Sequence, residues 1–432
     1  MADLKVRDGT VSNRRITFYV ALALFAQEST WNFYDNQVPA LLRDHVTSAA
    51  LIGLLMGADN LLGIFVQPWI GNRSDNTRTR WGRRMPYIAV GMPLAALIFL
   101  FLPWATSLAT LVAVMFCYAL VANTTRPLAE SLVPDFIRPE RRSRANAAVK
   151  IATSLTIIVA SLISLFVIDE HPRGAFVIPA VILLLVTVVL IAKVRDSRST
   201  AYQAALAEDA DAAHDEARVP FRRVITDLVT DSDRRRLLLL LTVLLFGGAW
   251  FASRSLVTPY GMEALGLTRG EAGGLTLPSG IAFLLAAYPA ALCAERYGRL
   301  RTMGVGIIIF ATAMAAGAAV QTATGTVIAF CVAAVGAAAF MINAAVALWN
   351  LAPSSRVLGA YTGLYAVTWY LGGFGGPALI GAVVDLTGWS SMLLDIAVLA
   401  ALAILVVVRL GHLQRRHPSS ILNCHGVRCR PF

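Results

Sequence analysis

Runs of apolar residues alternate with short polar segments along nearly the whole chain. A helix of about 20 apolar residues crosses the ~30 Å of hydrocarbon in a lipid bilayer. Within hydrocarbon the backbone must satisfy its own hydrogen bonds, so each such run is expected to be helical. The pattern predicts an all-α integral membrane protein with twelve transmembrane helices, at 16–42, 47–71, 86–104, 108–132, 145–168, 174–193, 237–261, 272–294, 302–321, 325–351, 358–384 and 391–410.

The longest polar segment separates the twelve predicted helices into two groups of six. It contains an acidic run and an arginine cluster, and we interpret it as a cytoplasmic linker. The resulting division is an N-terminal six-helix bundle (1–193), the linker (194–236), a C-terminal six-helix bundle (237–410) and a cytoplasmic tail (411–432).

The two halves repeat the same order of proline and charged positions. Pro68 followed by Asp75 in the first half corresponds to Pro289 followed by Glu295 in the second. Weak internal symmetry of this kind is typical of transporters built from repeats, which bind their cargo near the membrane midplane between the repeats. We therefore expect two pseudo-symmetric bundles.

Composition supports a membrane location, and the distribution of positive charge along the chain predicts the orientation in the membrane. Of the 432 residues, 57% are hydrophobic and 15% are charged, whereas a soluble domain carries about 25% charged residues. The net charge is +11, but only Arg43, Arg173 and Arg269 fall in predicted outer loops. Because arginine-rich short loops stay in the cytoplasm, both termini are expected to be cytoplasmic. We expect a multi-pass plasma-membrane protein, functional as a monomer in the bilayer, with a small-molecule substrate and no nucleic acid partner.

The most specific motif lies between the second and third predicted helices. It reads Gln-Pro-Trp-Ile-Gly-Asn-Arg-Ser-Asp at 67–75 and Arg-Trp-Gly-Arg-Arg-Met-Pro at 80–86. The pattern Gly-x-x-x-Asp, followed by Arg-x-Gly-Arg-Arg, resembles the helix 2–helix 3 loop of major facilitator transporters. The fuller pattern resembles the glycoside–cation symporter branch, in particular sucrose–proton symporters and their bacterial relatives. This resemblance implies a major facilitator fold, alternating access by rocking of two halves, and uptake of a glycoside driven by a proton.

The same resemblance bears on the coupling ion. Melibiose-type sodium symporters of that branch use two acids one turn apart in helix 2. The corresponding positions here are near Gly63 and Gln67, which are not acidic, and Asp59 lies one turn away. We therefore expect a proton rather than sodium, and no other cofactor. The predicted helices contain no histidine–cysteine cluster with metal-ligand spacing, so neither a metal site nor an enzymatic site is expected.

Ionisable residues within the predicted helices are candidates for proton coupling, because a charge in hydrocarbon is energetically costly and such residues commonly mark functional sites. Glu28 and Asp35 lie on one face of the first helix, Asp59 lies near the middle of the second, and Arg126 lies on the fourth. Asp59 is the favoured proton carrier. The alternatives are that Asp59 pairs permanently with Arg126 or another cation, and that Arg126 and Glu130 neutralise each other at i, i+4.

Amides, aromatic rings and one arginine on these helices are candidates for cargo binding. Sugars present hydroxyls to planar polar groups and C–H faces to aromatic rings. Aromatic packing and interface anchoring are the alternative explanation for the tryptophans, and export of an amphiphilic compound by proton antiport is the alternative function. The candidate set is Trp31, Asn32, Tyr34, Asn60, Gln67, Asn123, Trp250, Arg254, Asn343, Trp349, Asn350, Tyr365 and Trp369.

Charged residues at the inner helix ends are expected to form a cytoplasmic gate. The acid that ends the second helix can cap it or pair with loop arginines, and the loop glycine permits a tight turn. These pairs would close the cytoplasmic side and break when it opens; the alternative is that the arginines only set topology. The candidate gate residues are Asp75, Arg80, Gly82, Arg83, Arg84, Glu130, Asp135 and Arg144.

Overall fold

The computed structural model describes residues 13–137, 139–199, 233–351 and 358–416, together with a few positions between 200 and 232. These residues form helices and contain no strand. The helices are α1 (Asn13–Arg43), α2 (Ala49–Asp75), α3 (Met85–Phe101), α4 (Leu108–Phe136), α5 (Pro139–Ile163), α6 (Gly174–Lys193), α7 (Arg235–Ser255), α8 (Val257–Leu265), α9 (Arg269–Gly274), α10 (Leu277–Tyr297), α11 (Arg299–Val320), α12 (Ala323–Trp349), α13 (Leu358–Thr387) and α14 (Met392–Arg416).

The helices confirm the predicted all-α membrane fold. Among the described residues, eleven helical segments are long and apolar enough to cross a bilayer. The remaining long helix, α1, has 31 residues but does not reach that hydropathy, because a polar stripe runs along it. It packs against α4, α5 and α6, so protein rather than lipid surrounds much of the stripe, and α1 completes the twelve spans.

The predicted seventh and eighth spans are each divided near one end. Leu256 separates α7 from α8, and α8 ends at Gly266, whose φ of 66° is a conformation that favours glycine. Thr268 then begins α9 as part of a capping box with Glu271. Irregular backbone is tolerated at membrane depth only where protein or water covers it, and here these breaks lie where the two halves meet.

The two six-helix halves are joined along a close helix–helix contact. We call "inner" the end that carries the α2–α3 loop, because the arginine distribution predicts that it faces the cytoplasm. The outer half of α2 packs along α13, and α5 packs along α10. A Cβ added at Gly57 of α2 would lie 2.6 Å from the backbone oxygen of Phe374 on α13. Small residues therefore allow the two backbones to approach closely, as is common between membrane helices.

Among the described residues, hydrogen bonds between the halves lie at the outer end and in the middle of the bundle. The Asn36 amide donates to the backbone oxygen of Gly273 at 2.8 Å. The innermost such bond among the described residues runs from the Tyr370 hydroxyl to the Gln67 side-chain oxygen at 3.0 Å. Among the described residues, the halves are therefore closed at the outer end, and no hydrogen bond joins them across the cleft on the inner side of Tyr370 and Gln67.

Candidate transport site

The stripe on α1 forms one wall of the cleft. Glu28, Asn32 and Asp35 recur at i, i+4 and i+7, which places them on one helix face, and all three are partly exposed. Asn32 also donates to the hydroxyl of Thr156 on α5 at 2.8 Å, which fixes the rotation of α1 against its neighbour. The residues between them, such as Thr30, are buried against the rest of the N-terminal half.

Arg126 of α4 forms an ion pair with Glu28 of α1. Their charged atoms lie 3.0 Å apart, whereas Glu130, one turn further along α4, lies 3.7 Å from Arg126. The side chain of Glu28 is 14% exposed, that of Arg126 is 32% exposed, and that of Glu130 is 58% exposed. The more buried of the two acids is therefore the closer partner, and Arg126 neutralises the acid that the bilayer and protein interior disfavour most.

Asp35 and Asp59 face the same cleft without an ion pair. Among the described residues, no cation lies within 4 Å of either carboxylate. Asp59 accepts hydrogen bonds from the backbone and side-chain nitrogens of Asn60 at 2.7 Å and 2.9 Å. The charges of Arg254 and Glu28 act on Asp35 from beyond salt-bridge distance. Either acid can take up or release a proton without the loss of a salt bridge.

An aromatic wall on the C-terminal half stands opposite these acids. The rings of Tyr365 and Trp369 on α13 stack with centroids 6.4 Å apart, and Phe251 of α7 contacts Trp369 at 5.4 Å. The guanidinium carbon of Arg254 lies 5.8 Å from the centre of the Trp250 ring, within cation–π range. The wall therefore offers flat apolar faces beside one cation.

Side-chain amides connect α2, α4 and α13 below the midplane. The Gln67 nitrogen donates to the side-chain oxygen of Asn123 at 2.8 Å, and the Asn123 nitrogen donates to the backbone oxygen of Asp59 at 3.1 Å. Tyr370 completes the connection through its bond to Gln67. Tyr370 was not among the predicted site residues, although it is adjacent to Trp369. This chain of bonds joins the two halves next to an acid.

Three of the predicted cargo-binding residues are buried within their own half, namely Trp31, Tyr34 and Asn343, and two are exposed at the end of α12, namely Trp349 and Asn350. Tyr34 stacks on Tyr118 inside the N-terminal half at a centroid distance of 5.3 Å. Asn343 is buried and donates to the backbone of its own helix. Trp349 ends α12 and donates to the hydroxyl of Thr362 at 2.9 Å, which places it at the inner end of the bundle.

The inner loop is held by ion pairs within the N-terminal half. Arg83 and Arg84 both contact Asp135 at the end of α4, at 2.5 Å and 3.2 Å. Arg84 also contacts Asp75 at 2.6 Å. These pairs all lie within the N-terminal half, so they brace the inner end of that half. Their expected opening and closing as a cytoplasmic gate stays a prediction. The side chain of Arg144 lies outside the described residues.

Asp196 is a further component of this loop cluster that the sequence did not indicate. It follows α6, is fully buried, and accepts the backbone N–H groups of Arg84 at 2.5 Å and Met85 at 3.4 Å. It therefore caps the start of α3. Burial raises the pKa of Asp196, and its bond from the Arg84 backbone N–H acts in the opposite direction. A single acid after an apolar run has no periodic signature that would reveal such a contact.

Replacing Gly82 with alanine is expected to destabilise this cluster. Gly82 has a φ of +103°, and a Cβ there would lie 2.5 Å from a carboxylate oxygen of Asp196. Strain and overlap each cost about 1–3 kcal/mol, so the apparent melting temperature of the purified protein should fall by several degrees. Gly71→Ala is the matched control because no atom lies within 4 Å of its added Cβ; an equal effect of both substitutions would contradict the role of Asp196.

Solved structures with the same architecture are transporters. The nucleoside transporter NupG has a TM-score of 0.70 at 15% identity and covers 91% of this chain and 99% of its own. A bacterial homologue of the human lysosomal transporter Spinster, in an inward-facing and occupied conformation, has a TM-score of 0.71 at 16% identity and covers 95% and 100%. A POT family transporter in complex with 5-aminolevulinic acid has a TM-score of 0.72 at 11% identity and covers 93% and 96%. At these identities the likeness establishes the fold.

Sequence comparison gives the family. The human membrane-associated transporter protein is 32% identical over 94 residues, which is 22% of this chain and 18% of that protein. The match therefore spans less than a fifth of that relative. The model of the Major Facilitator Superfamily matches residues 20–283 and 239–422, which together include both six-helix halves. The chain is a transporter rather than an enzyme, and it belongs to the Major Facilitator Superfamily.

Proposed function

We propose that this protein is a proton-coupled symporter of a sugar, glycoside or similar small polar solute that works by alternating access. The observation that carries the proposal is the arrangement of acids in the cleft. Glu28 is neutralised by Arg126 at 3.0 Å, whereas Asp35 and Asp59 face the same space and, within the described chain, have no ion pair. A site of this kind can hold a proton on one side of the membrane and release it on the other.

Asp59 is the favoured proton carrier on physical grounds. When ionised it places an unpaired charge at the middle of the bilayer, and protonation removes that cost. Its neighbour Asn60 donates two hydrogen bonds to one carboxylate oxygen, which keeps the ionised form accessible. The backbone of Asp59 is bonded to Asn123, and through Gln67 to Tyr370 of the other half. Cargo that displaces these amide bonds would therefore change the surroundings of the acid.

The cleft suits a small polar cargo with hydroxyl groups. The amides of Asn60 and Gln67 supply donors and acceptors, and Tyr365 and Trp369 supply flat faces for C–H groups. The motif at 67–86 resembles glycoside–cation symporters, and the structural neighbours include a nucleoside transporter and a transporter in complex with 5-aminolevulinic acid. All of these support a small polar solute.

Cargo-dependent proton movement in liposomes tests the proposal. The purified chain is reconstituted with an internal pH-sensitive dye, and sugars and glycosides are added one at a time. We expect one cargo class to acidify the lumen, and we expect Asp59→Asn to abolish this acidification while exchange of labelled cargo persists. Asp395→Asn is the matched control, because Asp395 lies at the outer end and bonds Ser391 of its own helix end.

Two results would contradict the proposal. Normal acidification by Asp59→Asn, Asp35→Asn and Glu28→Gln alike would remove these acids from proton coupling. Silence across the sugar panel, together with proton release from the lumen on addition of lipophilic cations, would favour the antiport of amphiphiles instead. The flat faces of Phe251, Tyr365 and Trp369 would then bind the apolar part of such a compound.

A further inference from the structure

A carboxylate of the C-terminal half caps a helix of the N-terminal half at the outer end. Asp385, near the end of α13, accepts a hydrogen bond from the Ser48 hydroxyl at 2.6 Å. It also accepts the backbone N–H groups of Ala49 at 2.6 Å and Ala50 at 3.1 Å. These are the first groups of α2, which have no partner within their own helix. The bonds are charge-assisted, and the helix dipole strengthens them.

A carboxylate of the N-terminal half makes the reverse contact. Asp169, which follows α5, accepts the Thr268 hydroxyl at 2.7 Å and the backbone N–H of Gly270 at 2.8 Å. Both donors belong to the start of α9 in the C-terminal half. The fit is close, because a Cβ added at Gly270 would lie 2.5 Å from an Asp169 oxygen. Each half therefore inserts one acid into the first turn of a helix of the other half.

The two contacts are equivalent under the internal symmetry of the fold. Ser48 and Thr268 are both N-cap residues whose hydroxyls accept a backbone N–H three residues later, at 3.2 Å in each case. Ser48 opens the second span of the first half, and Thr268 opens the second span of the second half. Asp169 and Asp385 both lie at the outer end of a fifth span. The same contact between a carboxylate and a helix start therefore occurs twice, once with the acid from each half.

We propose that these two contacts form a reciprocal latch that holds the outer side of the transporter closed and must be released each time that side opens. Each contact needs a carboxylate from one half and helix-start donors from the other, so it exists only while the outer ends are together. Ser48, Thr268 and Asp385 lie near the outer surface, where water can replace the broken bonds. The latch can therefore open in every cycle without leaving buried groups unsatisfied. This inference rests on alternating access and not on the identity of the cargo.

The distance between the outer ends of the two halves measures the latch directly. Spin labels are placed at exposed outer positions, Thr106 on the first half and Thr324 on the second, in the full chain with its five native cysteines replaced. Double electron–electron resonance in lipid nanodiscs then gives the outer-closed and outer-open populations without any cargo. We expect Asp169→Asn and Asp385→Asn each to raise the open-to-closed ratio about tenfold, and the double variant about a hundredfold if the two act independently.

Matched variants separate the latch from a general loss of structure. Asp395→Asn removes an outer acid that bonds only its own half and should leave the distances unchanged. Ser48→Ala and Thr268→Val keep both acids but remove one donor each, and should shift the ratio in the same direction. Unchanged distance distributions in both Asp→Asn variants, or equal shifts in the Asp395→Asn control, would overturn the latch. Because no cargo is added, failure of the symport experiment leaves this result intact.

Discussion

Replacing Arg126 with leucine is expected to abolish cargo accumulation and to lower the stability of the N-terminal half. The substitution leaves the carboxylate of Glu28, whose side chain is 14% exposed, without its cation. Removal of one partner of a buried ion pair costs about 3–5 kcal/mol. Because the Arg126 side chain is 32% exposed, solvent screening brings the expected loss nearer to about 2 kcal/mol. Melting temperature in detergent and gradient-driven uptake in liposomes measure the two effects.

A second substitution separates the structural part of that loss from the functional part. Glu28→Gln in the Arg126→Leu background removes the unpaired charge, so we expect the melting temperature to recover while uptake remains abolished. Glu28→Gln alone leaves Arg126 with Glu130 at 3.7 Å and should be more stable than Arg126→Leu alone. If the double variant melted no higher than Arg126→Leu, the ion pair would not be the source of the stability.

Replacing Gly57 with valine is expected to force the outer ends of the two halves apart. The added Cβ would lie 2.6 Å from the backbone oxygen of Phe374 and 2.8 Å from its Cα. Backbone atoms cannot rotate away, so the substitution should destabilise the outer-closed state by about 2 kcal/mol relative to the outer-open state. That destabilisation raises the outer-open to outer-closed ratio about 30-fold, and transport should fall because the cycle can no longer return to the inward-open state.

The control for this substitution lies on the partner helix. No atom lies within 4 Å of a Cβ built at Gly375 of α13, so Gly375→Val adds the same bulk to an exposed glycine of the partner helix without a clash. The label pair at Thr106 and Thr324 reports both variants. Equal populations in the two would show that the close approach of α2 and α13 does not hold the outer end closed.

Sequence reasoning recovered features that depend on local pattern. Apolar length predicted the spans, and the charged loop placed Arg83 and Arg84 among the candidate gate residues together with Glu130 and Asp135, of which the structure pairs them with Asp135. Both follow from residues whose spacing along the chain already limits where they can lie. The stripe of Glu28 and Asp35 was also predictable, because helical periodicity alone places them on one face.

Features that depend on which helices become neighbours were not predictable in this way. Trp31 falls beside the same stripe on a helical wheel, yet it packs on Tyr118 of α4 with centroids 5.2 Å apart. The sequence offers Glu130 and Asp59 as partners of Arg126, whereas its closest partner in the structure is Glu28, almost a hundred residues away. Asp196 and Asp385 accept hydrogen bonds from backbone N–H groups. Every residue except proline carries such a group, so the residue types at the contact do not indicate the partner.

The polar stripe of α1 also has a consequence for how the protein enters the membrane. A charged residue at the centre of an inserting helix adds about 2.5–3.5 kcal/mol to its apparent insertion free energy, and α1 carries Glu28 and Asp35 as well as buried amides. Gln27 bonds the backbone of Ala122 and the hydroxyl of Thr125, and Asn32 bonds Thr156. These partners are synthesised about a hundred residues after α1. We therefore expect α1 to become stable in the bilayer only after α4 and α5 have been synthesised and pack against it. Until then, the translocon or a membrane chaperone is expected to hold the helix.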